Sequence, residues 1–136
     1  MKLLLLAASG GAIGASLRYL VNQAFVRFGS GADVVGSMPV FPWSTMTVNI
    51  VGGFFMGLMF VLIGQRLGGS PEWRTFLTTG ILGGFTTFSA FSLDMLTLVQ
   101  HDGIAGPRFL FYVLGSVILA FIALALGLWA GRMVLS

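Results

Sequence analysis

Four long apolar segments, separated by connections bearing glycine, proline or charge, set the pattern of this chain. They run from about Leu3 to Val26, Trp43 to Ile63, Trp73 to Val99 and Phe109 to Val134. A stretch of roughly 20 apolar residues crosses the hydrocarbon core as a helix, so each predicts a membrane span. The first connection, Arg27 to Pro42, carries Gly29, Gly31, Gly36, Pro39 and Pro42 and predicts an irregular or partly helical crossover. Gly68, Gly69, Ser70 and Pro71 end the second segment, and Asp102, Gly103, Gly106 and Pro107 punctuate the turn before the fourth. The opening MKLLLLAAS has the outline of a secretory signal. Its apolar run is short and continues through GGAIGASLRYLV, so the first helix is expected to stay in the mature chain.

The third segment is the one built to break. In GILGGFTTFSAFSLDM, Gly80, Gly83 and Gly84 loosen the backbone, while Thr86, Thr87, Ser89 and Ser92 supply hydroxyls. Phe85, Phe88 and Phe91 place a ring at every third position. An interrupted helix in lipid leaves amides and carbonyls unpaired, which is tolerated only where they face protein, water or an ion. Such a break points to a permeation or binding site.

Composition fixes the class. Hydrophobic residues make up 57% of the 136 and charged residues only 8%, with a mean hydropathy of +0.99. This is the composition of an integral membrane protein, and the length holds about four spans in a single domain, residues 1–136. A bundle this thin does not readily enclose a pore, which predicts a homo-oligomer. With no cysteine, disulfides and thiolate metal sites are excluded. The net charge of +3 reads through membrane topology and gives no nucleic-acid signal. Lys2, Arg66, Arg74 and Arg132 would share one side, against Arg27 and Arg108 on the other, with Arg18 part way into the first helix. So weak a bias allows insertion in both orientations, and hence an antiparallel homodimer; the alternative is a single orientation with the more basic side cytoplasmic.

Small residues recur at four-residue spacing: Gly10 and Gly14, Gly53 and Gly57, Gly80 and Gly84, Gly127 and Gly131. Such pairs let helix backbones approach closely in lipid. They are expected to serve packing, and none singles out a dimer face.

Several polar and aromatic residues suit anion chemistry. The Asn49 amide can donate hydrogen bonds to an anion without setting a full charge beside it, or can bond a neighbouring helix. Phe88 and Phe91, three apart, share one helix face, where they either pack or turn electropositive ring edges to an ion. Thr87 and Ser89 offer hydroxyls, unless these bond back to the preceding turn. Tyr112 and Ser116 share a face of the fourth helix. Arg18 is unfavourable within a span and should snorkel or find carbonyls and an acid near the interface, where it can serve as a topology anchor. Asp94 belongs at a vestibule or beside Arg18.

Three segments together resemble the CrcB/Fluc fluoride channel family: GGAIGASLRY (Gly10 to Tyr19), TVNIVGGFFMG (Thr47 to Gly57) and GILGGFTTFSAFS (Gly80 to Ser92). They stand in the family's order, on the expected helices, and the resemblance covers essentially the whole chain. It implies an all-α membrane protein of four helices with the third broken. It also implies a dual-topology antiparallel homodimer passing fluoride passively through two pores in a bacterial inner membrane. By the same resemblance Asn49, Phe88 and Phe91 line the fluoride pore. Tyr112 belongs to a polar track along it, Arg18 stands at the vestibule, and the Gly83 and Thr86 carbonyls of both subunits hold a structural sodium ion (Na+). Thr87, Ser89 and Ser116 are further pore candidates. Ala90 and Ala120 stand where other members can carry hydroxyls, so the track is expected to be shorter here.

Two rival classes fit less well. A proton-coupled small multidrug-type exporter shares size and topology but needs a titratable residue deep in a span, whereas Asp33, Glu72 and Asp102 fall in or beside connections and Asp94 comes late in the third segment. An enzyme needs paired carboxylates or a metal-ligand cluster, and the lone His101 sits in a loop.

Overall fold

The computed structural model describes residues 1–28, 34–35, 38–39 and 41–135. Four spans cross the molecule, at Lys2–Arg27, Trp43–Gln65, Pro71–Asp102 and Pro107–Val134. The first is helix α1 (Lys2–Arg27), the second α2 (Trp43–Gln65) and the fourth α6 (Pro107–Leu135). The third is composite: a first turn, α3 (Pro71–Trp73), a π-helical stretch (Arg74–Leu82), a short α4 (Gly83–Phe85) and α5 (Phe88–Asp102). In the first connection the described residues form two short antiparallel strands, β1 (Val34–Val35) and β2 (Met38–Pro39), with Val34 opposite Pro39. These residues are extended where partial helix was an alternative; residues 29–33, 36–37 and 40 of that connection lie outside the described residues.

Local chemistry sets the element ends. Pro42, at φ −78° and ψ 62°, makes an inverse γ-turn closed by the Trp43 amide donating to the Phe41 carbonyl at 2.8 Å, and α2 starts there. Ser70 caps the third span, its Oγ accepting from the Trp73 amide, with Pro71 in the first helical position. Lys2 pairs with Glu72 at 3.2 Å and joins the start of α1 to the start of the third span. At the opposite end, Arg108 Nε donates to Asp102 Oδ2 at 2.7 Å and clips α5 to α6.

Glycines decide how the spans pair. α1 lies against the π-helical stretch and α4, and α2 lies against α6. A Cβ on Gly10 would stand 2.5 Å from the Phe76 carbonyl oxygen, and one on Gly84 2.6 Å from that of Gly11. On the other pair, Gly53 would meet the Ala120 carbonyl oxygen at 2.7 Å, and Gly57 and Gly127 would collide with Leu124 and Phe54 backbone. All four small-residue pairs therefore serve contacts inside one chain.

A buried cluster of Met46, Phe91, Leu98 and Tyr112 ties α2, α5 and α6 together. Outward, Leu4, Leu20, Phe60, Leu114, Phe121 and Trp129 are exposed. Four long helices with apolar outer faces make this a multi-pass membrane protein.

Candidate functional site

The third span breaks at Thr86 and Thr87, both extended, with ψ of 156° and 120°. Gly83 and Gly84, the residues expected to loosen the chain, stay helical just before it. In an unbroken α-helix the Thr87 amide would bond the Gly83 carbonyl, and the Ala90 amide that of Thr86. Both are diverted. Thr87 N–H donates to Asn49 Oδ1 at 2.9 Å, and Asn49 Nδ2 donates back to the Thr87 carbonyl at 3.2 Å. The Ala90 amide donates to Thr87 Oγ1 at 3.1 Å, which makes Thr87 the N-cap of α5. The Asn49 amide thus copies a strand neighbour and satisfies both backbone groups at the break. Its nitrogen keeps a second hydrogen.

Beside the break is a cavity of about 260 Å³, walled by Asn49, Thr86, Thr87, Phe88, Phe91, Ser116, Val117 and Ala120. Ser116 is buried, and its hydroxyl has no hydrogen-bond partner among the described residues. A buried hydroxyl left unsatisfied is unfavourable by about 1–3 kcal/mol. Phe88 and Phe91 stand 5.7 Å apart with planes at 42°. Phe91 is 6% exposed and Phe88 77%, so one ring is embedded and the other uncovered within a single chain. Among the described residues no charged side chain lines the cavity.

The other sequence candidates fall at set distances from this centre. Ser89 Oγ lies 3.2 Å from Thr87 Oγ1 and joins the site through that hydroxyl. Thr86 bonds back to the preceding turn, donating to the Leu82 carbonyl at 2.8 Å. Tyr112 is fully buried behind Phe91, outside the cavity wall, and donates to Asp94 Oδ2 at 2.7 Å; Thr45 also hydrogen-bonds its hydroxyl. Asp94 therefore pairs with Tyr112 and not with Arg18, which is half-buried on α1 and makes no ion pair among the described residues. Val117 and Thr45 gave no sequence signal. Val117 is one apolar residue among many on α6, and the meaning of Thr45 depends on where the Tyr112 ring goes.

The diverted bonds also release the Gly83 and Thr86 carbonyls from their helical donors. Neutral peptide oxygens suit a hard cation of low charge. No cluster of His, Asp or Glu occurs among the described residues to favour a divalent or transition metal.

Comparison with known proteins follows this geometry. The profile of a family described as CrcB-like protein, Camphor Resistance (CrcB) matches residues 5–128. The chain belongs to the CrcB family. It is 53% identical over 129 residues to a protein of Mesorhizobium japonicum, covering 95% of each chain. It is 45% identical over 127 residues to one of Agrobacterium fabrum, with 93% of this chain and 94% of the relative covered. A Rhizobium meliloti protein is 42% identical over 128 residues, with 94% of each covered. All three relatives bear the name Fluoride-specific ion channel FluC. Within this CrcB chain the matched region includes every cavity residue, from Asn49 to Ala120.

Proposed function

We propose that the chain is a fluoride channel that lets fluoride leave the cell down its electrochemical gradient. The observation that carries this reading is the uncharged cavity at the helix break, where an unbonded buried Ser116 hydroxyl and the Asn49 amide meet the Phe88 and Phe91 rings. Fluoride is small and strongly hydrated; a pore must replace its water with donors yet hold it loosely enough for exit. Hydroxyl and amide hydrogens with electropositive ring edges answer that need, and a fixed positive charge would bind too tightly. No covalent step is involved. An exporter driven by protons needs an ionisable residue at its binding site, and the described residues of the cavity wall include none.

The working unit in this reading is an antiparallel homodimer with two pores, set in a bacterial inner membrane and bathed by lipid. The 77% exposure of Phe88 beside the cavity supports it, since a second copy would cover that ring. The weak charge bias supports dual insertion. A sodium ion shared by the Gly83 and Thr86 carbonyls of both copies would brace the centre. Arg18 would stand near the mouth, drawing anions in.

Fluoride efflux from liposomes holding purified protein, followed with a fluoride electrode after valinomycin, tests this directly. Rapid fluoride loss with chloride retained is expected. Retention of both ions by well-folded dimer would refute it.

A further inference from the structure

A second cavity, a groove, opens between α1, α2 and the first half of the third span. It holds about 260 Å³, and every side chain lining it is apolar, among them Leu17, Val51, Phe55, Met59, Leu77 and Phe85. Leu17, Val51 and Phe55 are exposed, so the groove is open at the surface of the bundle. Val51 stands about 200° round α2 from Asn49, so a second copy placed over Phe88 would sit on the other side. From Val51 to Met59 is about 12 Å of helix, close to one leaflet of a hydrocarbon core about 30 Å thick.

Both walls of the groove run on to one basic end. Arg66 lies seven residues beyond Met59 and continues the α2 stripe, and Trp73 lies four residues before Leu77 on the third span. Arg74 is exposed next to Trp73. Glu72, at the same end, is held by Lys2 at 3.2 Å, so the two arginines leave this end with an excess of positive charge.

We propose that the groove seats one acyl chain of an anionic phospholipid, with its phosphate at Arg66 and Arg74 and the Trp73 ring at headgroup level. In lipid an apolar wall gains nothing by excluding water, so selection among lipids comes from packing along the chain and from charge at its head. Guanidinium groups match phosphate oxygens, and tryptophan favours the headgroup zone. A zwitterionic lipid brings the same chain without the net charge and should be held less tightly. Such a site serves the protein whichever ion the first cavity passes.

The test makes Trp73 the one tryptophan, through Trp43→Phe and Trp129→Phe, in phosphatidylcholine vesicles. Phosphatidylglycerol brominated near the ester end of its chains should half-quench Trp73 at a mole fraction at least about threefold lower than equally brominated phosphatidylcholine. Adding Arg66→Gln and Arg74→Gln should erase that difference, and Val51→Phe, which fills the groove, should weaken quenching by phosphatidylglycerol. Should the tryptophan changes prevent assembly, native mass spectrometry of the unaltered protein decides: phosphatidylglycerol stays bound in preference to phosphatidylcholine, and the two arginine changes release it. Equal quenching or retention of the two lipids marks ordinary boundary lipid and overturns the proposal. So does a preference that survives both arginine changes, and so does quenching by neither lipid, which would put a second copy over the groove.

Discussion

At the scale of single residues, Asn49 does two things with one amide. It closes both backbone bonds at Thr87 and keeps one hydrogen for the cavity. Asn49→Asp puts a carboxylate oxygen against the Thr87 carbonyl and a negative charge in an anion path. Fluoride efflux is expected to fall at least about tenfold, with thermal stability lowered by the unpaired Thr87 oxygen. Ser116→Ala separates conduction from folding, because the hydroxyl makes no bond that the fold would miss. Efflux should drop while the melting temperature stays or rises; a stability loss with full conduction would remove Ser116 from the site. Phe88→Ile should likewise conduct poorly from a monomer fold left intact, since that ring is uncovered within the chain. Residue type alone made Asn49 and the phenylalanines suspects. That Asn49 also braces the backbone depends on which helix faces it across the bundle, and no local pattern encodes that.

At the scale of elements, close helix approach and one broken span carry the architecture. The spans were legible because lipid demands long apolar runs, and their observed ends extend only slightly beyond those read from composition. The break was legible as a region but not as a position: glycines suggested Gly80 to Gly84, while the backbone turns at Thr86 and Thr87, where Asn49 and the Thr87 hydroxyl supply substitute partners. The π-helical stretch over Arg74–Leu82 had no sequence signature, since its wide turns accompany packing against α1. The Gly14 site, whose Cβ would overlap the Ile81 carbonyl oxygen, shows what that packing demands. Gly14→Val should part α1 from the third span and lower the yield and melting temperature of detergent-purified protein. The same change at Gly11, which has open space on that side, should be tolerated.

At the scale of the whole molecule, the apolar outer surface meets lipid, and in the proposed dimer a second copy would cover Phe88. If released peptide carbonyls hold sodium at the centre of a dimer, replacing sodium with a large organic cation should raise the monomer fraction in detergent. An unchanged dimer fraction would remove the ion from the account. The central claim is that a passive, uncharged path admits fluoride and refuses chloride. Its most direct measurement is the zero-current potential of the purified protein in a planar bilayer, with a fluoride gradient opposed by chloride and a separate pH gradient imposed. The account predicts reversal at the fluoride equilibrium potential, unmoved by pH. Reversal at the chloride potential, or one that follows the proton gradient, would contradict it.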